Sequence, residues 1–95
     1  AVGTEKDTMK PSPELLTEVL EWRTDIEHAA THSDKLDELD RILKEQHDQS
    51  LHVLAREYKA QLWDAMAHET LRLGYIEKAQ KDIASHRQRL RQHAS

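Results

Sequence analysis

The chain has no cysteine. That excludes a disulfide framework, a thiolate nucleophile and a Cys-based zinc site, and it agrees with a reducing compartment. Only two Gly and two Pro occur in 95 residues, and Phe is missing, so the aromatics are two Trp and two Tyr. Scarce breakers leave little room for a turn-rich β architecture. Scarce aromatics mean a thin core of Leu, Ile, Val and Ala, with modest stability. No apolar run approaches the roughly 18 residues of a spanning segment, so no part of the chain is expected to cross a membrane as a helix. The opening AVGTEKDTMK lacks the apolar centre of a signal peptide and has no initiator Met. It is expected to be a linker or remnant of a longer or processed chain.

What is present favours helix. Charged residues make up 34% and hydrophobic residues 37% of the chain, a mixture that one small all-α domain can accommodate. The net charge of −4 is unevenly spread. From Arg72 onward six basic residues face only Glu77 and Asp82, a net of +4, so the preceding part carries −8. An acidic body with a basic tail is an electric dipole able to orient a partner.

Residues 1–11 show no periodicity and are expected to form a disordered lead-in; residues 12–95 form the domain. Three helices are predicted, over about 13–30, 34–58 and 62–91. In the first, Ser12 is a candidate N-cap, Pro13 suits the first helical position, and Glu14 complements the helix dipole. Leu15, Val19, Trp22 and Ile26 make a core stripe within roughly 60° of arc, whereas Leu16 and Leu20 lie roughly 100–140° away from its centre. Ser33 or Asp34 is expected to cap the second helix. Its stripe, Leu36, Leu39, Leu43, Gln46, Ser50, Val53 and Glu57, starts apolar and turns polar. The third helix places Leu62, Met66, Leu73, Ile76, Ile83 and Ala84 on one face, beside a ridge of Trp63, Ala67, Thr70 and Gly74. Leu71 and Tyr75 point away from both. The final HRQRLRQHAS is expected to fray. The architecture predicted is an antiparallel three-helix bundle. A single helix from Asp34 to Arg91 is the competing arrangement, because EYKAQLWDAM has no turn residue, and it would need a partner chain to bury its faces.

Chemistry is hard to find. His28 and His32 stand at i, i+4, but no carboxylate completes a metal site, and Arg72 replaces the second His of an HExxH motif begun at His68-Glu69. Ser12, Ser33, Ser50 and Ser85 have no His and acid at triad spacing. There is no Gly-rich phosphate loop. No enzymatic activity, metal or cofactor is expected. The basic tail (Lys78, Lys81, Arg87, Arg89, Arg91) lacks interleaved aromatics for stacking, which argues against nucleic acid as a partner. Leu16, Leu20, Leu71 and Tyr75 remain. By periodicity they are either the edges of a wide core, the commoner arrangement in a bundle, or an interface, for which Tyr is an enriched residue.

SPELLTEVLEWRTDIEHA and WDAMAHETLRLGYIEKAQKDI resemble the C-terminal domain of the HscB family, J-type co-chaperones of iron–sulfur cluster biogenesis. The resemblance spans about residues 12–85. It rests on Leu15-Leu16 through Leu20-Glu21-Trp22-Arg23 and on Trp63-Asp64-Ala65 through Leu73-Gly74-Tyr75-Ile76. It implies a three-helix bundle that binds the cluster scaffold protein through Leu16, Leu20 and Tyr75, with Glu21 as a neighbouring acidic contact. Thr17 and Thr24 stand where some relatives place further contacts with different side chains. The family's His-Pro-Asp tripeptide, which stimulates the partner chaperone ATPase, does not occur in these residues. The resemblance therefore implies scaffold binding without chaperone activation by this chain alone. It implies the mitochondrial matrix in a eukaryote and the cytoplasm in a bacterium. The family's acidic or Asn turn residues before the last helix are replaced here by KAQL. A self-association module with no dedicated client is the alternative from a different class.

Overall fold

A computed structural model describes residues 11–94; the expected lead-in, apart from Pro11, lies outside the described residues. Three helices follow in order: α1 (Pro13–Ala29), α2 (Ser33–Lys59) and α3 (Trp63–Ala94). Each packs against the other two, forming the expected all-α three-helix bundle, with α2 and α3 in the most extensive contact.

The start of α1 follows from its sequence. The Leu15 N–H donates to Ser12 Oγ at 3.2 Å, Pro13 occupies the first turn, and Glu14 faces the positive end of the dipole. The start of α2 differs from expectation. His32 is the N-cap residue and makes no side-chain cap bond, while Ser33 is already helical. Backbone bonds replace the hydroxyl: His32 donates to the Ala29 carbonyl at 2.9 Å, and Leu36 donates to the His32 carbonyl at 3.0 Å.

The continuous-helix alternative is ruled out by a turn over residues 60–62. Leu62 N–H donates to the Glu57 carbonyl at 2.9 Å, and Gln61 N–H to the Tyr58 carbonyl at 3.1 Å. This pair of bonds is a Schellman motif, which requires a left-handed residue after the cap. Gln61 supplies it with φ of 59°, a conformation usually left to Gly. The turn was illegible because a non-Gly residue carries the strain.

The core runs between α1, the first half of α2 and the second half of α3. Ile26, Ala29, Leu36, Leu43 and Ile83 form its buried centre, with Trp22, Leu39, Ala79 and Leu90 packed against it. Leu15 and Ile76 are also buried. Val19 and Trp22 of the expected α1 stripe are half-buried. Two expectations for α3 need correction. Leu62 is 53% exposed because it belongs to the turn rather than the helix face. The C-terminal stretch does not fray at its start: the helix continues to Ala94, since Arg87 reaches Asp37 at 3.1 Å and Asp40 at 3.4 Å, and Leu90 packs on the core.

Two polar positions of the α2 stripe, Gln46 and Ser50, also have an account, whereas Glu57 Oε1 is buried without a hydrogen-bond partner among the described residues. Ser50 is buried and donates to Glu69 of α3, and Gln46 accepts from Arg72. The apolar core thus gives way to a hydrogen-bonded polar layer, which is how buried polar groups are tolerated.

Candidate partner-binding site

Helix α1 is only 17 residues long against 27 in α2, and it packs against both α2 and α3. Leu15, Ile26 and Ala29 face inward and are buried. Leu16 and Leu20, one turn apart on another face, are 45% and 60% exposed. Their exposure removes one reading of periodicity for this pair: Leu16 and Leu20 do not widen the core.

The remaining candidates are divided between two grooves. Tyr75 is half-buried on α3 and lines an open groove of about 590 Å³ between α1 and α3, opposite Val19, Trp22, Arg23 and Ile26. The Lys78 amine sits 5.7 Å from the Tyr75 ring centroid. Glu21 is exposed and borders a different groove of about 480 Å³, with Ser12, Glu18, His68, Glu69 and Arg72. Leu16 and Leu20 line neither. Tyr75 therefore sits across a groove from the ridge next to the Leu pair, and Glu21 belongs to the opposite side of α1. Leu71, also off the core stripes, is half-buried.

Arg72 organises the second groove and was not singled out from sequence. Its Nε and Nη2 each donate to Glu18 carboxylate oxygens at 3.0 Å, a fork that ties α3 to α1. It also donates to Gln46 of α2 and pairs with Glu69 at 3.6 Å. Its guanidinium lies 5.8 Å from the Trp22 ring centroid. The Glu18 hydrogen bond raises the Arg72 pKa, helped by the Glu18 and Glu69 charges and opposed by desolvation. The signal that could have found it was positional. Arg72 and Glu69 stand level with Gln46 and Ser50, the polar interruptions of the α2 stripe, and buried polar groups demand partners.

No group of three potential metal ligands exists among the described residues, and His28 and His32 are both exposed. The two grooves are open, and the arrangement suits protein contact rather than enclosure of a small substrate.

Residues 11–84 match the family model described as the HSCB C-terminal oligomerisation domain. The match covers most of the chain, which belongs to that family. It is a C-terminal domain of the HscB type, from a co-chaperone family of iron–sulfur cluster assembly rather than an enzyme class. No curated protein and no solved structure matches the chain significantly.

Proposed function

We propose that this domain binds the scaffold protein on which iron–sulfur clusters are built and, joined to a J domain, delivers it to a partner chaperone ATPase. Leu16 and Leu20 insert into an apolar groove of the scaffold, Tyr75 extends the contact onto α3, and Glu21 supplies rim electrostatics. The observation that carries this is the exposure of Leu16 and Leu20 on a firmly capped helix whose other apolar face already serves the core. Two large aliphatic side chains left in water one turn apart are suited to helix-in-groove recognition. The compartment that goes with the role is the mitochondrial matrix in a eukaryote and the cytoplasm in a bacterium.

Burying one such side chain contributes about 1.5–3 kcal/mol. Leu16→Ala with Leu20→Ala should therefore weaken scaffold binding by roughly 100-fold or more, taking about 1.4 kcal/mol as tenfold. Isothermal titration calorimetry measures this, and circular dichroism should show an unchanged bundle, because neither side chain is in the core. Undiminished affinity in the folded double variant would end the proposal.

A second function, self-association, is favoured by one observation. Around the α2–α3 turn, Tyr58, Leu62 and Trp63 are 53–63% exposed, and Tyr58 and Trp63 meet edge-to-face at 6.0 Å. Sedimentation of the parent and Trp63→Ala at micromolar concentration tests it. A parent that stays monomeric removes self-association.

A further inference from the structure

We infer that the groove between α1 and α3 receives a carboxylate-bearing segment of the protein that docks on Leu16 and Leu20, with Arg23, Lys78 and Lys81 as its charge contacts. This rests on scaffold binding as proposed above and adds the chemistry of the docking segment.

The groove has an apolar floor and a basic rim. Val19, Trp22, Ile26, Tyr75 and Ala79 form the floor. Arg23 stands on the α1 side, and Lys78 and Lys81 on the α3 side, all exposed. Among the described residues, none of these three cations has an ion-pair partner; the salt bridges of the bundle belong to other basic groups. Asp82, the one carboxylate among the described residues that line the groove, lies 3.7 Å from His86 Nε2. The groove therefore holds a local excess of positive charge on a chain whose net charge is −4. At about 100° per residue, Arg23 falls between Val19 and Leu16 on the α1 wheel. The basic rim thus begins where the exposed Leu pair ends, and one partner segment can run from the Leu pair into the groove.

Charge complementarity selects the occupant. Three cations around an apolar floor fit a peptide segment with two or three carboxylates beside an apolar side chain. A polynucleotide fits poorly, because Glu14, Glu18 and Glu21 crowd the far side of α1 and oppose an extended polyanion.

The test measures scaffold affinity for the whole chain and for two doubles, Lys78→Gln with Lys81→Gln and Lys78→Glu with Lys81→Glu, at about 0.05 M and about 0.5 M salt. The charge-reversed double should bind about tenfold weaker or worse at low salt, and the neutral double should fall between it and the parent. The differences should shrink at high salt, where charge contacts are screened. Circular dichroism checks folding, and the neutral double carries the test if reversal disturbs the helix. Unchanged affinity in both doubles, with binding lost in Leu16→Ala/Leu20→Ala, overturns the acidic segment and leaves the docking face standing. Full binding by that Leu variant overturns the docking face and the groove occupant together. Tighter binding by the charge-reversed double, or displacement of the scaffold by an equimolar nucleic-acid oligomer, also overturns the inference.

Discussion

Replacing Arg72 by Ala tests how α1 is held against α2 and α3. The guanidinium makes two hydrogen bonds to Glu18 and one to Gln46, and it faces Glu69 and the Trp22 ring. Its side chain is 22% exposed, and Glu18 is 38% exposed. A hydrogen bond to a charged group contributes about 1.5–3 kcal/mol when buried. Screening at the half-exposed Glu18 lowers that figure, whereas truncation leaves Glu18 and Glu69 as neighbouring carboxylates with no cation between them. A loss of about 2 kcal/mol follows from these opposing corrections. For a domain of this size, 1 kcal/mol moves the Tm by about 4–8 °C, so Arg72→Ala should melt about 8–16 °C lower. Thermal unfolding followed by far-UV circular dichroism reads this directly. Arg72→Lys should recover less than half of the loss, because an ammonium cannot form the planar fork to Glu18. A double-mutant cycle with Glu18→Ala isolates the pair and should return about 1 kcal/mol of coupling. A Tm drop below about 3 °C, or zero coupling, would refute the idea that this fork fixes α1. The sign of the pH dependence is also set. A raised cation pKa gives stability that is fully present below the unfolded pKa and is lost only as pH climbs through the folded value. Arg72 should thus add no slope to stability anywhere near neutral pH.

Three further outcomes check the packing. Gln61→Gly should raise stability by about 1 kcal/mol, since it relieves a left-handed side chain in the α2–α3 turn; an unchanged or lower chemical-denaturation midpoint would contradict the assigned φ of 59°. Gly74→Ala should stabilise the free domain by up to about 1 kcal/mol, because a Cβ there meets nothing within 4 Å and Ala is the better helix former. A destabilised Gly74→Ala domain in the same titration would contradict the open space at that position. Ile83→Ala empties a fully buried site between the helices and should cost about 2–5 kcal/mol in the same assay.

Helix α1 could be read almost to the residue because its start and its apolar spacing are strong local signals, whereas α2 was legible from its apolar spacing and not from its cap. Ser12, Pro13 and Glu14 all act on the first turn, and Leu36 and Leu43 recur at core spacing. The second turn was hidden for a physical reason: Gln61 adopts a conformation that its side chain disfavours, so composition carries no mark of it. Exposure of Leu16 and Leu20 was half legible. Their angle separated them from the core stripe, but only the three-dimensional arrangement shows that no neighbouring helix covers that angle. Arg72 was legible only as a demand: the polar breaks at Gln46 and Ser50 call for a partner. Glu18 and Gln46 lie 54 and 26 residues from Arg72 in sequence, on two other helices, so which residue answers is set by the tertiary fold.

The brevity of α1 has a dynamic consequence. Three buried side chains, the half-buried Trp22 and one ionic fork join it to a longer α2–α3 hairpin. Detaching it exposes less apolar surface than opening that hairpin, so α1 is the unit expected to open first in the native state. Its interior amides should exchange with solvent at a lower opening free energy than those around Leu43 and Ile83. The displayed leucines ride on this same unit, so a partner that grips only the docked helix must also suppress its opening. Protection of α1 amides on partner binding would then report the share of binding energy spent on suppressing that local opening.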